Sequence, residues 1–496
     1  LDFSPTDSGS GKELLKSAST AITSVNGVYR SMWTAGWSTT ANTHQCFGIA
    51  AYNLALDCMA DDLIMQSQGN GWFWGDHCYN VKSNYTSSAF RSYDVWYANY
   101  KWIANVNYII DAEPEMAGTE ADVAYVAGQA YAIRALCYLN LATWFSRAPY
   151  NSLTGASRWN EPCVPVYTTG TSIDTGGQPR ESLRTVYGRI DQDIDRAIEL
   201  LEKARETTLA ENNKSHINLY VALGIKSRAC LAEGDWDGAF KAAKRVIDEG
   251  GYAVGTKSDL TGGMNSLDKQ NVMWGAGIQV ADQAGGYAGF FTHMDNKEGA
   301  YAKSAPKLIS KQLYNRISAT DIRRDWWDPS DKESPYVSKK FSFANVASFL
   351  GDYIYMRVEE MYFTAAEAAL RLDDLKSARE LMNTVMAERD PGYSANNRSG
   401  TLLGATTTTW TGSFLENILT HRRIELWGEY GRLFDVRRLG QGIDRRTDDG
   451  FSEECISMMN RRNVNITKAD TYDWVLTIPK AELDANPNIN EEDQNP

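Results

Sequence analysis

The sequence predicts a mainly α-helical fold made of paired helices, with long loop-rich insertions between them. Apolar residues recur at intervals of three and four over long stretches, the spacing that gives a helix one buried face. A degenerate repeat joins two helix pairs through tight acidic turns. Long segments rich in Gly, Ser, Thr, Asn and aromatic residues lie between the helical blocks. These observations indicate a repeat scaffold that carries large loops.

Three stretches show the helical spacing most clearly. Residues 183–201 carry one continuous apolar stripe, and residues 96–110 and 131–145 repeat the pattern. Two further places carry a helix start signal, a Ser or Thr three residues before an acid. These are Thr119 and Ser413, and we expect a helix to begin after each.

The repeat lies in residues 234–239 and 373–378. Each segment places an acidic turn between two apolar helices and a small residue five positions after its start, with Val246 or Val385 seven residues further on. Small residues at these points let two helices approach closely. The pattern is typical of the helix-turn-helix unit of tetratricopeptide arrays.

Short alternating apolar runs predict a few small strands or β-hairpins among the loops. The clearest are residues 271–280 and 474–478. The whole chain is interpreted as one domain, residues 1–496. Its helical scaffold is predicted at about residues 12–60, 92–147, 181–252, 355–391 and 412–440.

Charge and cysteine content exclude several classes of function. The net charge of −13 over 496 residues argues against nucleic-acid binding, which needs clustered Lys and Arg. No run of 18 apolar residues predicts a membrane-spanning helix. The seven cysteines form no CxxC motif, and their odd number leaves at least one thiol free.

No motif of a metal centre or a common hydrolase is found. The five histidines make no HExxH set, and neither a complete P-loop nor a GxSxG elbow occurs. We therefore expect no cofactor. A structural calcium ion is considered only at residues 444–449, which are rich in Asp but lack the EF-hand pattern.

The 15 Trp and 26 Tyr residues supply the candidate ligand contacts. Aromatic rings stack on the apolar face of a sugar, and nearby amides or carboxylates bind its hydroxyls. Trp72 and Trp74 lie two apart in a glycine-rich segment, so an extended loop would present both to one side, beside Asn70. Further candidates are the adjacent Trp326 and Trp327, and Tyr287. Six other Trp lie on periodic segments and are predicted to be core: Trp96, Trp102, Trp144, Trp236, Trp274 and Trp427.

Four stretches together resemble the SusD/RagB family. Residues 357–368 (RVEEMYFTAAEA) resemble its R-x-x-E helix, and residues 421–440 (HRRIELWGEYGRLFDVRRLG) resemble its E-R-R-x-E-L helix. The chain end resembles the family's closing I-P…N-P…Q-N-P pattern, and Asp61 with Asp62 matches an acidic pair near its start. His421 in place of an acid, and Tyr430 before the glycine, depart from the family pattern.

The resemblance implies a tetratricopeptide-like superhelix of about four helix pairs, with ligand-side loops at about residues 61–91 and 255–345. It implies non-catalytic capture of a glycan at the cell surface for uptake through a TonB-dependent, SusC-like transporter. Members are held on the outer membrane of Bacteroidota-type bacteria by an N-terminal lipid anchor. Because family ligand contacts often follow the acidic pair, Asp61 and Tyr79 join the candidates.

The segment 421–440 is interpreted as structural. As one continuous helix it would place Glu425, Glu429 and Arg432 on one face, where buried ion pairs would fix its register.

Two other classes of function stay open. A helical glycoside hydrolase needs two carboxylates at a set separation, and Asp325 or Asp328 beside the Trp pair is the only candidate. A repeat scaffold that binds only protein is the third class, although the aromatic loops argue against it as the sole function.

Overall fold

Helices dominate the fold in this computed structural model, which describes residues 8–34, 43–80, 90–279 and 288–496. The α-helices are α1 (Ser8–Leu14), α2 (Ala18–Ser31), α3 (Ile49–Met59), α4 (Trp74–His77), α5 (Phe90–Ala112), α6 (Glu120–Phe145), α7 (Leu183–Lys203), α8 (Leu219–Glu233), α9 (Trp236–Glu249), α10 (Lys257–Thr261), α11 (Phe290–Met294), α12 (Ala300–Ser304), α13 (Lys311–Tyr314), α14 (Val358–Arg371), α15 (Leu375–Ala387), α16 (Phe414–Glu425), α17 (Arg432–Leu439), α18 (Glu453–Arg461) and α19 (Lys480–Ala485). The strands are β1 (Leu63–Met65), β2 (Val272–Ala276), β3 (Lys307–Ile309), β4 (Trp327–Asp328), β5 (Val337–Ser338) and β6 (Tyr353–Arg357).

The eight longest helices of the described chain form the predicted tetratricopeptide-like stack. Helix α2 packs on α5 and α6, and from α5 to α9 each helix packs on the next. Helix α14 then packs against both α9 and α15, so the stack continues past the long insertion. The mainly α-helical fold class is therefore confirmed.

Both predicted repeat turns join packed helices. Gly234 ends α8 in the left-handed region, at φ 72°. The carboxylates of Asp235 and Asp374 each accept a backbone N–H three residues further on and so begin α9 and α15. Ala239 and Ala378 are fully buried where the paired helices meet. The two helix-turn-helix units are confirmed.

The two predicted helix starts are also confirmed. The hydroxyl of Thr119 accepts the N–H of Asp122 at 3.1 Å, and the hydroxyl of Ser413 accepts the N–H of Glu416 at 3.1 Å. These bonds satisfy N–H groups that the first turn of a helix leaves unpaired.

The expectation of one continuous helix over residues 421–440 is wrong. Helix α16 ends at Glu425 and α17 begins at Arg432. Between them Gly428 and Gly431 adopt left-handed φ values of 75° and 85°, which interrupt helical hydrogen bonding. The N–H of Arg432 instead donates to the carboxylate of Asp57 at 2.8 Å, so α17 begins where it meets the end of α3.

Two small antiparallel sheets lie among the loops. One has the strand order β1-β3-β5-β4, and the other pairs β2 with β6. The strand predicted within residues 271–280 is confirmed as β2. The strand predicted at residues 474–478 is wrong, because this segment pairs with no strand and Leu476 instead donates its N–H to the carbonyl of Trp144, at the end of α6, at 2.9 Å.

The core takes most of the aromatic and sulfur-containing side chains. All seven cysteines are buried free thiols. Of the six Trp predicted to be core, five are buried and Trp236 is half-buried. Among the described residues, no helix combines the length and the apolar character needed to cross a bilayer.

Candidate functional site

The glycine-rich loop after β1 is held against α12. Its residues 66–70 are exposed. Gly69 has φ 55°, and a Cβ there would lie 2.8 Å from the Cβ of Ala305, so only glycine fits. The hydroxyl of Ser67 donates to the carbonyl of Ser304 at 3.1 Å. The loop therefore contacts the end of α12 through its backbone at Gly69 and through the side chain of Ser67.

Three rings at the end of this loop form one aromatic surface, here named the Trp72 platform (His44, Trp72 and Tyr301). The Trp72 and His44 rings stack, with centroids 5.0 Å apart and planes 19° apart. Tyr301 meets the Trp72 ring edge-on at 6.1 Å, and its hydroxyl lies 2.6 Å from Nδ1 of His44. Trp72 and His44 are partly exposed, and Tyr301 is buried beneath them.

A buried histidine supports the platform from below. Nε2 of His293 donates to the carbonyl of His44 at 2.5 Å. The His293 ring stacks on Phe47 at 5.7 Å and meets Phe73 edge-on at 4.9 Å. Burial holds the pKa of His293 well below its ordinary value, so its ring is neutral at pH 7. The surface ring Trp72 thus rests on a rigid, uncharged base.

The platform presents chemistry suited to a sugar. A partly exposed indole offers a flat apolar face, and its backing by His44 limits the entropy lost on binding. Gln68 and Asn70 are exposed in the same loop and carry amides that both donate and accept. Two of the eight predicted site residues, Asn70 and Trp72, thus lie at an exposed aromatic surface.

Trp74 does not lie beside Trp72 on an extended loop, and that expectation is wrong. Phe73 has φ 63°, and the chain turns there into α4, which begins at Trp74. The Trp74 ring is buried against His77, with centroids 5.7 Å apart. The proposed site therefore does not include Trp74.

The other four described candidates are buried in the protein interior. The hydroxyl of Tyr79 donates to the carbonyl of Met59 at 2.5 Å. The indole N–H of Trp326 donates to the carbonyl of Leu260 at 2.9 Å, and the Trp327 ring meets the buried Trp427 edge-on at 5.5 Å. Both tryptophans therefore belong to the core, and neither presents a ring face to solvent.

Asp61 is held in buried ion pairs within the protein. The last candidate, Tyr287, lies outside the described residues. The Asp61 carboxylate lies 3.3 Å from Arg423 and 3.1 Å from Arg432, and both partners are buried. Burial works to raise the pKa of Asp61, but the two guanidinium groups hold it below its ordinary value. A buried, fully paired carboxylate of this kind orders the helices around it.

The ion pairs of the signature segment are confirmed, although they join different elements instead of following one helix face. The carboxylate of Glu425 forms ion pairs with the guanidinium groups of Arg389 at 2.9 Å, Arg357 at 3.1 Å and Arg323 at 3.2 Å. None of these side chains is exposed. Burial would raise the pKa of Glu425, but the three arginines hold it well below its ordinary value. Glu429 lies 2.8 Å from Arg357. The network ties α16 to the last residue of β6, to the residues just after α15 and to the segment before β4.

Asp57 is also a buried carboxylate, but its pKa is raised, whereas the pKa values of Asp61 and Glu425 are lowered. One oxygen accepts the N–H of Arg432, and the other has no hydrogen-bond partner among the described residues. Burial raises the pKa of Asp57 from 3.8 to about 7. Between these values the unfolded chain releases this proton and the folded protein keeps it, so this group's contribution to stability is lost as the pH rises.

We therefore expect Asp57→Asn to change the pH profile of stability. Relative to the variant, the free energy of unfolding of the natural protein should fall as the pH rises from about 4 to about 7. Chemical denaturation of both proteins across this range measures the difference. Parallel curves would contradict the assignment, because the amide cannot titrate.

Metal ligands do not gather at the expected acidic segment. Within the described residues, one group of three possible ligands lies close together, formed by Cys230, Glu233 and Asp235. In residues 444–449, Asp444 instead pairs with Arg446 at 2.9 Å. The calcium ion considered from the sequence therefore gains no support.

His44 and Tyr301 were not singled out as ligand contacts from the sequence. They join Trp72 from segments far apart along the chain, and no spacing rule relates residues 44, 72 and 301. The sequence signal was limited to Trp72 itself, a tryptophan flanked by glycines and polar residues.

Comparison with known proteins agrees with this architecture. A family model described as "SusD family" matches residues 301–496, and one described as "Starch-binding associating with outer membrane" matches residues 24–231. A search of proteins with curated functions gave no match.

Solved structures match over nearly the full chain. A SusD-like carbohydrate binding protein from Bacteroides vulgatus is 25% identical, covers 96% of this chain and 98% of its own, and has a TM-score of 0.78. Surface glycan-binding protein A from Bacteroides uniformis is 16% identical over 96% and 99% of the two chains, with a TM-score of 0.67. A laminarin binding SusD-like protein is 18% identical over 97% and 99%, with a TM-score of 0.66. Since both family models match in order along a chain with the same overall architecture, the protein belongs to the SusD/RagB family.

Proposed function

We propose that this protein captures a neutral oligosaccharide at the bacterial surface through the Trp72 platform, without cleaving it. The observation that carries the proposal is the partly exposed Trp72 ring, stacked on His44, with Gln68 and Asn70 exposed in the same loop. An indole face and amide groups match the two kinds of surface that a pyranose presents. The net charge of −13 favours a neutral glycan over a polyanionic one.

Binding without hydrolysis fits the composition of the platform. Glycoside hydrolysis uses two carboxylic acids about 5–10 Å apart across the sugar bond. The platform is built of aromatic and imidazole rings. Of the two acids considered from the sequence, Asp325 is exposed and lies 4.0 Å from Lys257, and the carboxylate of Asp328 accepts the N–H of Ser330 at 2.9 Å.

We further propose that the protein is lipid-anchored on the outer membrane and delivers its glycan to a TonB-dependent transporter. This proposal rests on family membership and on the match to a model for proteins associated with the outer membrane. A tetratricopeptide-like stack also offers a broad helical face for docking against another protein.

Calorimetric titration against plant, storage and mucosal glycans tests capture, with each mixture assayed for new reducing ends. Binding without new reducing ends is the expected result. Cleavage would replace the proposal by a hydrolase, and no binding to any glycan would favour a protein scaffold. Mild detergent purification from native outer membranes is expected to recover a TonB-dependent barrel with the protein, and recovery of the protein alone would contradict the partnership.

A further inference from the structure

A second aromatic surface lies on the helical stack and shares no residue with the Trp72 platform. It is a groove of about 300 Å³ lined by the middle of α5, by the loop of residues 167–177 and by Glu482 of α19. We name it the α5 groove. Its volume is at the lower end of the range typical of small-ligand sites, about 300–1,000 Å³.

Tyrosine rings from two elements form the wall of the α5 groove. Tyr97 is 38% exposed, and its ring stacks on that of Tyr93 with centroids 5.6 Å apart and planes 12° apart. Tyr100 is partly exposed and meets Tyr167 of the loop edge-on at 5.8 Å. Because each ring is supported by another ring, binding a ligand would order few side chains.

Polar side chains of α5, α6 and the C-terminal segment fix the loop wall in place. The amide of Asn107 donates to the carbonyls of Tyr167 and Thr169, at 3.1 and 3.2 Å. Arg134 donates to the carbonyl of Thr168 at 3.0 Å. At the far end, the amide of Asn488 donates to the carbonyl of Gly177 at 2.6 Å. The groove is therefore formed before any ligand arrives.

The rim of the α5 groove carries hydroxyl and carboxylate groups. The hydroxyls of Ser172 and Thr175 accept backbone N–H groups and keep their own O–H to donate. One Glu482 oxygen accepts the amide of Asn486 at 2.9 Å, and a carboxylate has room for further donors. The negative carboxylate of Glu482 disfavours an anionic ligand. A ligand with many hydroxyl groups can instead donate hydrogen bonds to this carboxylate.

We infer that the α5 groove is a second carbohydrate-binding site, which takes one or two residues of a neutral oligosaccharide. Sugar C–H faces would stack on Tyr97 and Tyr100, and sugar hydroxyls would bind the rim. The inference rests on the proposed glycan function but concerns a separate surface. Arg91, over the Phe73 ring at 5.3 Å, connects the platform loop to the start of α5, and Tyr97 lies about 9 Å further along that helix.

Hydrogen exchange with mass spectrometry tests the two sites separately, with the full protein and the glycan that binds best in the calorimetric panel. We expect the glycan to protect residues 93–108 and 167–178 as well as residues 66–74. Tyr97→Ala should abolish protection of the groove segments. It should also lower the affinity of the α5 groove for the glycan about two- to tenfold, the scale of one stacking ring. Tyr97→Phe, which keeps the ring, should retain both.

Each outcome separates this inference from the proposed function. Protection confined to residues 66–74 would overturn the second site and leave the platform intact. Protection confined to the groove segments would support the second site and overturn the platform. Equal loss in Tyr97→Ala and Tyr97→Phe, or groove protection by a protein partner and not by glycan, would overturn the stacking role. No protection with any glycan would overturn both sites.

Discussion

Replacing Glu425 by alanine is expected to lower the free energy of unfolding by about 3–5 kcal/mol. The substitution removes the one carboxylate that Arg323, Arg357 and Arg389 share, and leaves each of these buried arginines with fewer acidic partners. Removing one partner of a buried ion pair exposes the full desolvation penalty of the other. Chemical denaturation monitored by tryptophan fluorescence measures the change.

The matched control is Glu199→Ala on α7, which removes an exposed glutamate paired with Lys203. Exposed pairs are screened by water, so its denaturation midpoint should not move measurably. Glu425→Gln, which keeps the shape of the side chain, serves if the alanine variant fails to fold. Unchanged stability in both Glu425 variants, or lost glycan affinity in a variant that remains folded, would contradict a purely structural role.

Replacing Trp72 by alanine is expected to weaken glycan binding by at least about 1–2 kcal/mol, the scale of a lost aromatic anchor. The partly exposed ring is held by His44 and Tyr301, so the variant removes contact area that is already in place. Trp72→Phe should keep part of the affinity, because a smaller ring still stacks. Calorimetric titration with the best ligand of the panel gives both values.

Trp236→Ala is the control for the Trp72 measurement. Trp236 is also half-buried, but it packs under Arg371, at 4.5 Å, and against Tyr150. We expect its loss to leave glycan affinity unchanged, whatever it does to stability. Equal affinity of the natural protein and Trp72→Ala would remove the platform from the proposed site.

Local sequence rules predicted the elements well where a helix is defined by its own residues. The stripe over residues 183–201 became α7, and Thr119 and Ser413 began α6 and α16. Each case depends on apolar spacing or on one hydroxyl that satisfies a nearby N–H, and both act within a few residues. The two acidic turns of the repeat could be predicted from the sequence for the same reason.

Rules of this kind failed where a distant partner changed the local preference. Residues 421–440 have helical spacing, yet Gly428 and Gly431 break the helix so that Arg432 reaches Asp57 and Asp61. Trp74 follows Trp72 by two residues, yet the turn at Phe73 sends only the second ring into the core.

The sequence by itself determined the mainly helical repeat scaffold, the family, and the presence of buried ion pairs in the signature segment. Those properties follow from periodicity, capping and motif residues, which act over short distances along the chain. Only the tertiary structure decided which aromatic rings face solvent. The Trp72 ring is held at the surface by His44 and Tyr301, which come from distant segments, whereas the chemically similar ring of Trp74 lies in the core. Burial of a ring in a loop depends on packing between distant segments, and the helical periodicity that predicted the buried Trp of the helices does not extend to the loops.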